Sequence, residues 1–207
     1  MTRSLVALLS FACGLLGCGA APLVRFREPA RALVAADYPS VHRRWTRRAH
    51  LTTWELDTAI DARATLLSAE LRSAFVAKVA AMRNLTEAAR GELEREHRED
   101  HQRFVDFVVL VETSRWEWND LPSPRSNWTI TAIDDRHREL ADPVIAAPPY
   151  KPTTLGELFP GTTPFTRAYR IRFLRLPPTL LTEETRSITL RISGPLGTAL
   201  LRWDAAP

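Results

Sequence analysis

The chain has 207 residues, 45% of them hydrophobic and 25% charged, which are the proportions of an ordinary globular protein. Its formal net charge of +4 is modest for this length and does not by itself indicate nucleic-acid binding. Both cysteines, Cys13 and Cys18, lie near the N-terminus. The sequence therefore excludes disulfides, thiol nucleophiles and cysteine metal sites from the rest of the chain.

The first residues have the organisation of an export signal. Arg3 precedes an almost wholly apolar stretch over residues 5–16, which is too short to span a bilayer as a helix. The stretch runs into the letters LLGC at residues 15–18. This order of apolar segment, small residue and cysteine resembles the lipobox of bacterial lipoproteins, which implies that residues 1–17 are a signal peptide.

The same resemblance implies a lipid anchor at Cys18. In that family a diacylglyceryl group is attached to the thiol, a peptidase cuts just before the cysteine, and the new amino group is acylated. Cys13 fits less well, because it would leave only about seven apolar residues before it. Gly19 follows the cysteine where an acidic residue would favour the inner membrane, so we expect the outer membrane. The alternative is an ordinary signal peptide cleaved after Gly17 or Ala20.

Residues 18–50 are predicted to be a basic tether. Seven arginines fall between Arg25 and Arg48, against only two acids. Such a segment could lie on anionic lipid headgroups and strengthen the attachment. The alternative, which we favour, is a solvated basic helix that packs through Val41 and Trp45, at positions i and i+4.

The remaining residues, 51–207, are predicted to form one α+β domain. Residues 54–66 alternate between apolar and polar side chains, which indicates a strand with one buried face. A helix through Leu56 and Ile60 is the alternative. Residues 68–102 then predict a helical hairpin, because Ser68 can cap a helix with an apolar side. Its second helix is highly charged and should be the exposed member.

The rest of the chain has the pattern of short strands separated by Pro and Gly. Their parity places Val109, Ile171, Ile188 and Leu190 on inward faces, and we expect these residues to share a core with Leu56 and Ile60. About seven strands then predict an antiparallel β-sandwich with a helical hairpin excursion after the first strand. Further strand segments are predicted at residues 103–114, 127–134, 139–148, 168–175, 186–193 and 198–204.

His97 and His101 are the candidate metal ligands. Their i, i+4 spacing places both imidazoles on one face of a helix, as in the HExxH motif of zinc proteases. Arg98, however, stands where that motif has its glutamate, and a third ligand would have to come from His137, Glu94 or a distant carboxylate. The alternative is a solvated, charged helix face. We therefore predict no metal site and no cofactor.

Trp116, Trp118 and Trp128 are the candidate ligand-binding residues. They lie in or beside an irregular polar stretch, where aromatic faces and short polar side chains would suit stacking against sugar rings. The alternative is that these tryptophans close one end of the core.

Arginines also recur at outward positions of the predicted strands. Arg170, Arg172, Arg191 and Arg202 would form a cationic stripe for an acidic partner if their strands are neighbours. The alternative is an ordinary solvated face.

Three classes of function are open. We expect a non-catalytic, membrane-anchored envelope lipoprotein of the bacterial outer membrane, attached through the lipid on Cys18, with an envelope protein or a glycan as partner and no nucleic acid. The second is a glycan-binding β-sandwich that uses the tryptophan-rich loop. The third is a metal-dependent enzyme through His97 and His101. No complete catalytic motif, such as GxSxG or a Walker loop, is present in the sequence.

Overall fold

The computed structural model describes residues 21–176 and 181–207 of the chain. Over these residues the fold is mixed α+β, with four α-helices and two antiparallel sheets of five and four strands. None of the helices in the described ranges has the length and apolar character needed to cross a membrane. The signal peptide, Cys13 and Cys18 lie outside the described residues.

The elements follow the chain in an order that interleaves the two sheets. The elements are α1 (Tyr38–Trp45), β1 (Thr46–Thr52), β2 (Thr58–Leu66), α2 (Ala69–Arg83), α3 (Glu87–Arg103), β3 (Phe104–Glu112), β4 (Thr129–Asp134), β5 (Glu139–Leu140), β6 (Val144–Ala146), α4 (Pro152–Leu158), β7 (Arg167–Leu174), β8 (Ser187–Gly194) and β9 (Gly197–Asp204). Short 3₁₀ turns occur at Ala35–Asp37 and Trp116–Trp118. The five-stranded sheet has the strand order β1-β2-β3-β7-β6 and the four-stranded sheet the order β5-β4-β8-β9.

Strand β3 is buried on both of its faces, and the two faces differ in chemistry. The face that includes Phe107 contacts the other sheet, since the Phe107 ring centroid lies 5.4 Å from that of Trp203 in β9. The opposite face includes Asp106 and lies under the helices, where Arg72 of α2 reaches the Asp106 carboxylate. The strand therefore joins an apolar core on one side to a charged layer on the other.

Both predicted helices of the hairpin are confirmed, and their ends are capped as the sequence suggests. The Ser68 hydroxyl accepts a hydrogen bond from the Leu71 amide at the start of α2, and the Thr86 hydroxyl accepts one from Ala89 at the start of α3. Asn84 ends α2 in the left-handed conformation, with φ of 49°. The hairpin follows the second strand rather than the first, because a further strand, β1, begins inside the segment predicted to be a tether.

The predicted strand over residues 54–66 begins later than expected. Residues 54–56 form the turn between β1 and β2, in which the Leu56 amide donates to the Thr53 carbonyl and Leu56 has a φ of 67°. Trp54 and Leu56 are 89% and 83% exposed, so the prediction that Leu56 joins the core is wrong. Apolar and polar residues alternate through this turn as they do in the strand, so the pattern does not show where the strand begins. The other predicted core residues, Ile60, Val109, Ile171, Ile188 and Leu190, are all buried in one cluster.

Much of the predicted tether is part of the folded body. Helix α1 packs through Val41 and Trp45, as the helical alternative proposed, and Trp45 is fully buried. Its indole N–H donates to Glu70 of α2, and its carbonyl accepts from the indole of Trp203. Further upstream, Val24 pairs with Ala205 at the C-terminal end of the chain. These contacts join segments that are far apart in the chain, so the local content of arginine, alanine and proline does not predict them.

Candidate functional site

A cavity of about 330 Å³ opens between α2, α3 and the segment that precedes α1. We call it the arginine–histidine cavity, after its lining residues Arg72, Arg90, Arg98, His97 and His101. Two acids, Glu28 and Glu94, and the hydroxyl-bearing Ser73 also line it. Arg72 of its wall also reaches Asp106, so the cavity adjoins the charged layer between the helical hairpin and the five-stranded sheet.

Beneath the cavity, two aspartates and three arginines form a buried ion cluster. The Asp106 side chain has no exposed surface and accepts from Arg72 at 2.7 Å, from Arg170 at 2.6 Å and from Arg172 at 3.1 Å. Asp100 of α3 accepts from Arg170 at 2.7 Å and from Arg172 at 2.6 Å. The cluster fastens α2 and α3 to β3 and β7 through charge-assisted hydrogen bonds.

The two histidines lie on the inward side of α3, one turn apart. The His97 ring packs 4.9 Å from Phe75 of α2, centroid to centroid, and both histidines are only partly exposed. The prediction of a solvated helix face is therefore wrong for this side of α3. The charged residues of the outer side, such as Arg95 with Glu92 and Glu99, do match it.

Both histidines are held neutral by burial and, to a smaller extent, by the arginines beside them. His97 Nδ1 lies 3.4 Å from Arg72 Nη1, and His101 Nδ1 lies 3.2 Å from Arg175 Nη2. A guanidinium can only donate, so each Nδ1 is the acceptor and each ring carries its proton on Nε2. Burial, reinforced by the positive charges of Arg72 and Arg170, lowers the pKa of His97 to about 4. Burial with the charges of Arg175 and Arg72 lowers the pKa of His101 to about 3.

This arrangement does not assemble the metal site that the i, i+4 spacing suggested. Nowhere in the described part of the chain do three or more His, Cys, Asp or Glu side chains converge as metal ligands. Of the suggested third ligands, Glu94 pairs with Arg90, and His137 lies in the turn after β4 with a φ of 59°. Arginines occupy the surroundings of His97 and His101, which disfavours a cation.

The tryptophan-rich loop has mainly structural contacts. Trp128 is only 6% exposed, and its indole N–H donates to the Trp118 carbonyl at 2.8 Å. Trp116 is 60% exposed, but the Arg167 guanidinium carbon lies 3.6 Å from its ring centroid and covers one face. Asn119 is buried and donates to the Val111 carbonyl. These contacts match the alternative that the loop closes the core.

The predicted cationic stripe does not form. Arg170 and Arg172 do point away from the inward face of β7, but α3 covers that side and Asp100 pairs with both. Arg191 and Arg202 belong to the other sheet. Parity along a strand indicates which residues share a face, but it cannot show that a helix lies over that face.

The residues that sequence analysis missed are Asp106, Arg72 and Arg175. One signal was present, because Asp106 is a lone carboxylate inside the otherwise apolar run FVDFVVLV. A charge at such a position is rarely buried without a partner. Such a carboxylate indicates cationic partners on neighbouring elements.

Comparison with known protein families, with curated proteins and with solved structures finds no match to this chain.

Proposed function

We propose that this chain is a lipid-anchored lipoprotein of the bacterial outer membrane whose folded body is a non-catalytic interaction module. The observation that supports the proposal most directly is the apolar stretch of residues 5–16 followed by Gly17 and Cys18. The folded body begins only a few residues after this cysteine. Val24 is only six residues after Cys18. Its amide donates to the Asp204 carbonyl at 2.9 Å, and its carbonyl accepts from the Ala206 amide at 2.8 Å. Six extended residues reach at most about 20 Å, so the body would lie directly against the membrane surface.

We also propose that the two sheets form a β-sandwich. The ring contact between Phe107 and Trp203 supports this packing, because it joins the middle strand of one sheet to an edge strand of the other. The hydrogen bond from the Trp203 indole to the carbonyl of Trp45, the residue that precedes β1, holds β9 near the edge of the larger sheet. A sandwich would place the helical hairpin on the outer face of the larger sheet.

The protonation states argue against acid–base catalysis in the arginine–histidine cavity. A general base works best with a pKa near the operating pH, whereas the pKa values of His97 and His101 are lowered to about 4 and about 3. The carboxylates of Asp100 and Asp106 are fully engaged with arginines. The groups of this site are arranged to bind rather than to transfer protons.

Lipidation can be tested by replacing each cysteine separately. In a bacterium fed with an alkyne fatty acid, the wild-type chain and Cys13→Ser should both be labelled and should partition into detergent, whereas Cys18→Ser should be unlabelled. Intact mass should place the N-terminus of the mature protein at residue 18. An unlabelled wild-type protein, or a mature chain that begins beyond residue 18, would contradict the proposed anchor. Recovery in the inner membrane would contradict the location alone.

A further inference from the structure

We propose that the arginine–histidine cavity is a binding site for a phosphate group, carried either by a small soluble phosphate ester or by a lipid headgroup. This inference does not depend on the lipid anchor. It rests on an excess of positive charge, an excess of hydrogen-bond donors and a cavity of suitable size.

The charge excess is the first observation. Among the described residues, five guanidiniums lie in the cavity wall or in the ion cluster, and Arg175 beside His101 is a sixth, against four carboxylates. Arg175 contacts His101 but no carboxylate in the described ranges, and burial lowers its pKa to about 10, with Arg72 adding to the effect. Arg98 likewise has no ion pair there. The excess of about two positive charges matches a phosphate monoester, which has a charge of about −1.5 to −2 at neutral pH.

The donor excess is the second observation. Since Nδ1 accepts in both histidines, His97 and His101 each keep an Nε2–H that has no acceptor among the described residues. Neither Nε2 is among the buried atoms without a partner, so both are reachable from solvent. The Nε atoms of Arg170 and Arg175, by contrast, are buried and lack a partner. A neutral histidine, a serine hydroxyl and a guanidinium are typical donors to phosphate oxygens.

The acidic residues of the wall do not cancel these donors. Glu94 is already paired with Arg90 at 3.0 Å, and Glu28 is exposed. The volume of about 330 Å³ equals that of roughly eleven waters at their liquid density. It therefore has room for a phosphate group and a small organic substituent.

Arg98 offers the cleanest test, because it is exposed and Arg95 on the same helix is a matched control outside the cavity. Full-length protein in a non-ionic detergent would be titrated calorimetrically with inorganic phosphate and with glycerol phosphate. Binding to vesicles of phosphatidic acid would be compared with binding to phosphatidylcholine. Arg98→Gln should weaken phosphate binding about tenfold, as expected for a hydrogen bond to a charged group, and Arg95→Gln should change it less than twofold.

The result identifies the source of the phosphate as well as the site. Binding of the soluble phosphates, sensitive to Arg98→Gln, supports a free ester. Sensitivity that appears only with phosphatidic acid vesicles supports a headgroup. Absence of binding in both arms, or equal weakening by the two variants, would overturn the proposal.

A second measurement on the wild-type protein needs no substitution. Saturating phosphate should raise the pKa values of His97 and His101 in an NMR titration, because a bound anion favours the protonated rings. His42, whose imidazole contacts Thr65 and does not line the cavity, should respond much less. Unchanged values for both cavity histidines at saturation would also overturn the proposal.

Discussion

The buried carboxylate of Asp106 should be the most sensitive charged position in the fold. Asp106→Asn keeps the shape of the side chain and removes its charge, which leaves Arg72, Arg170 and Arg172 with Asp100 as their only acid in the cluster. The Asp106 side chain is 0% exposed, so solvent cannot replace the lost acceptor. Breaking a buried pair in this way costs about 3–5 kcal/mol, a large share of a total stability of about 5–15 kcal/mol.

Asp61→Asn is the matched control, because Asp61 pairs with Arg48 at the surface, where the arginine side chain is 60% exposed. Surface pairs of this kind contribute about 0–1 kcal/mol. Urea unfolding followed by circular dichroism would give both free energies, and equal m-values would show that the folded states are comparable. A loss below 1 kcal/mol for Asp106→Asn, or equal losses for the two variants, would refute the role assigned to the ion cluster.

Three further predictions use other parts of the fold. The folded-state pKa values of the two cavity histidines lie below the unfolded value of about 6.5, so the unfolded chain takes up protons first. As the pH is lowered from 6.5 to about 4, the free energy of unfolding should therefore fall by up to about 1.4 kcal/mol per pH unit for each histidine. Replacing both histidines with Gln should make the free energy of unfolding, measured in urea at several pH values, depend less on pH. Leu190→Asp should lower stability by several kcal/mol, since it buries an unpaired carboxylate; thermal melting should show a much smaller change for Thr189→Asp on the opposite face. Gly194→Ala should lower the melting temperature, because the new Cβ would lie 2.5 Å from the Asn127 backbone oxygen.

Local patterns were sufficient to predict some elements and not others. The alternation of Tyr169, Ile171 and Phe173 correctly identified the inward face of β7, because parity is a property of consecutive residues. The ion cluster, in contrast, depends on the register between two strands, because Asp106 of β3 lies directly opposite Arg172 of β7. Nothing within either segment specifies that alignment.

The same distinction explains the N-terminal region. The arginines of residues 18–50 predicted a solvated segment, yet Arg47 is only 6% exposed and donates to the carbonyl of Arg202. An arginine can be buried where backbone carbonyls from distant segments accept its hydrogen bonds. Composition cannot reveal such acceptors, because they are supplied by residues far along the chain.

The pairing of Val24 with Ala205 has a consequence for the order of folding. A chain emerges from the ribosome N-terminus first, so Val24 is synthesised long before the residue that completes its hydrogen bonds. The first described segment must therefore wait, undocked, until residues 204–206 have been made. Pairings of such wide sequence separation are slow to form, and docking of this segment should be among the final steps of maturation. Removal of residues 204–207 would therefore also release Val24 from its hydrogen bonds.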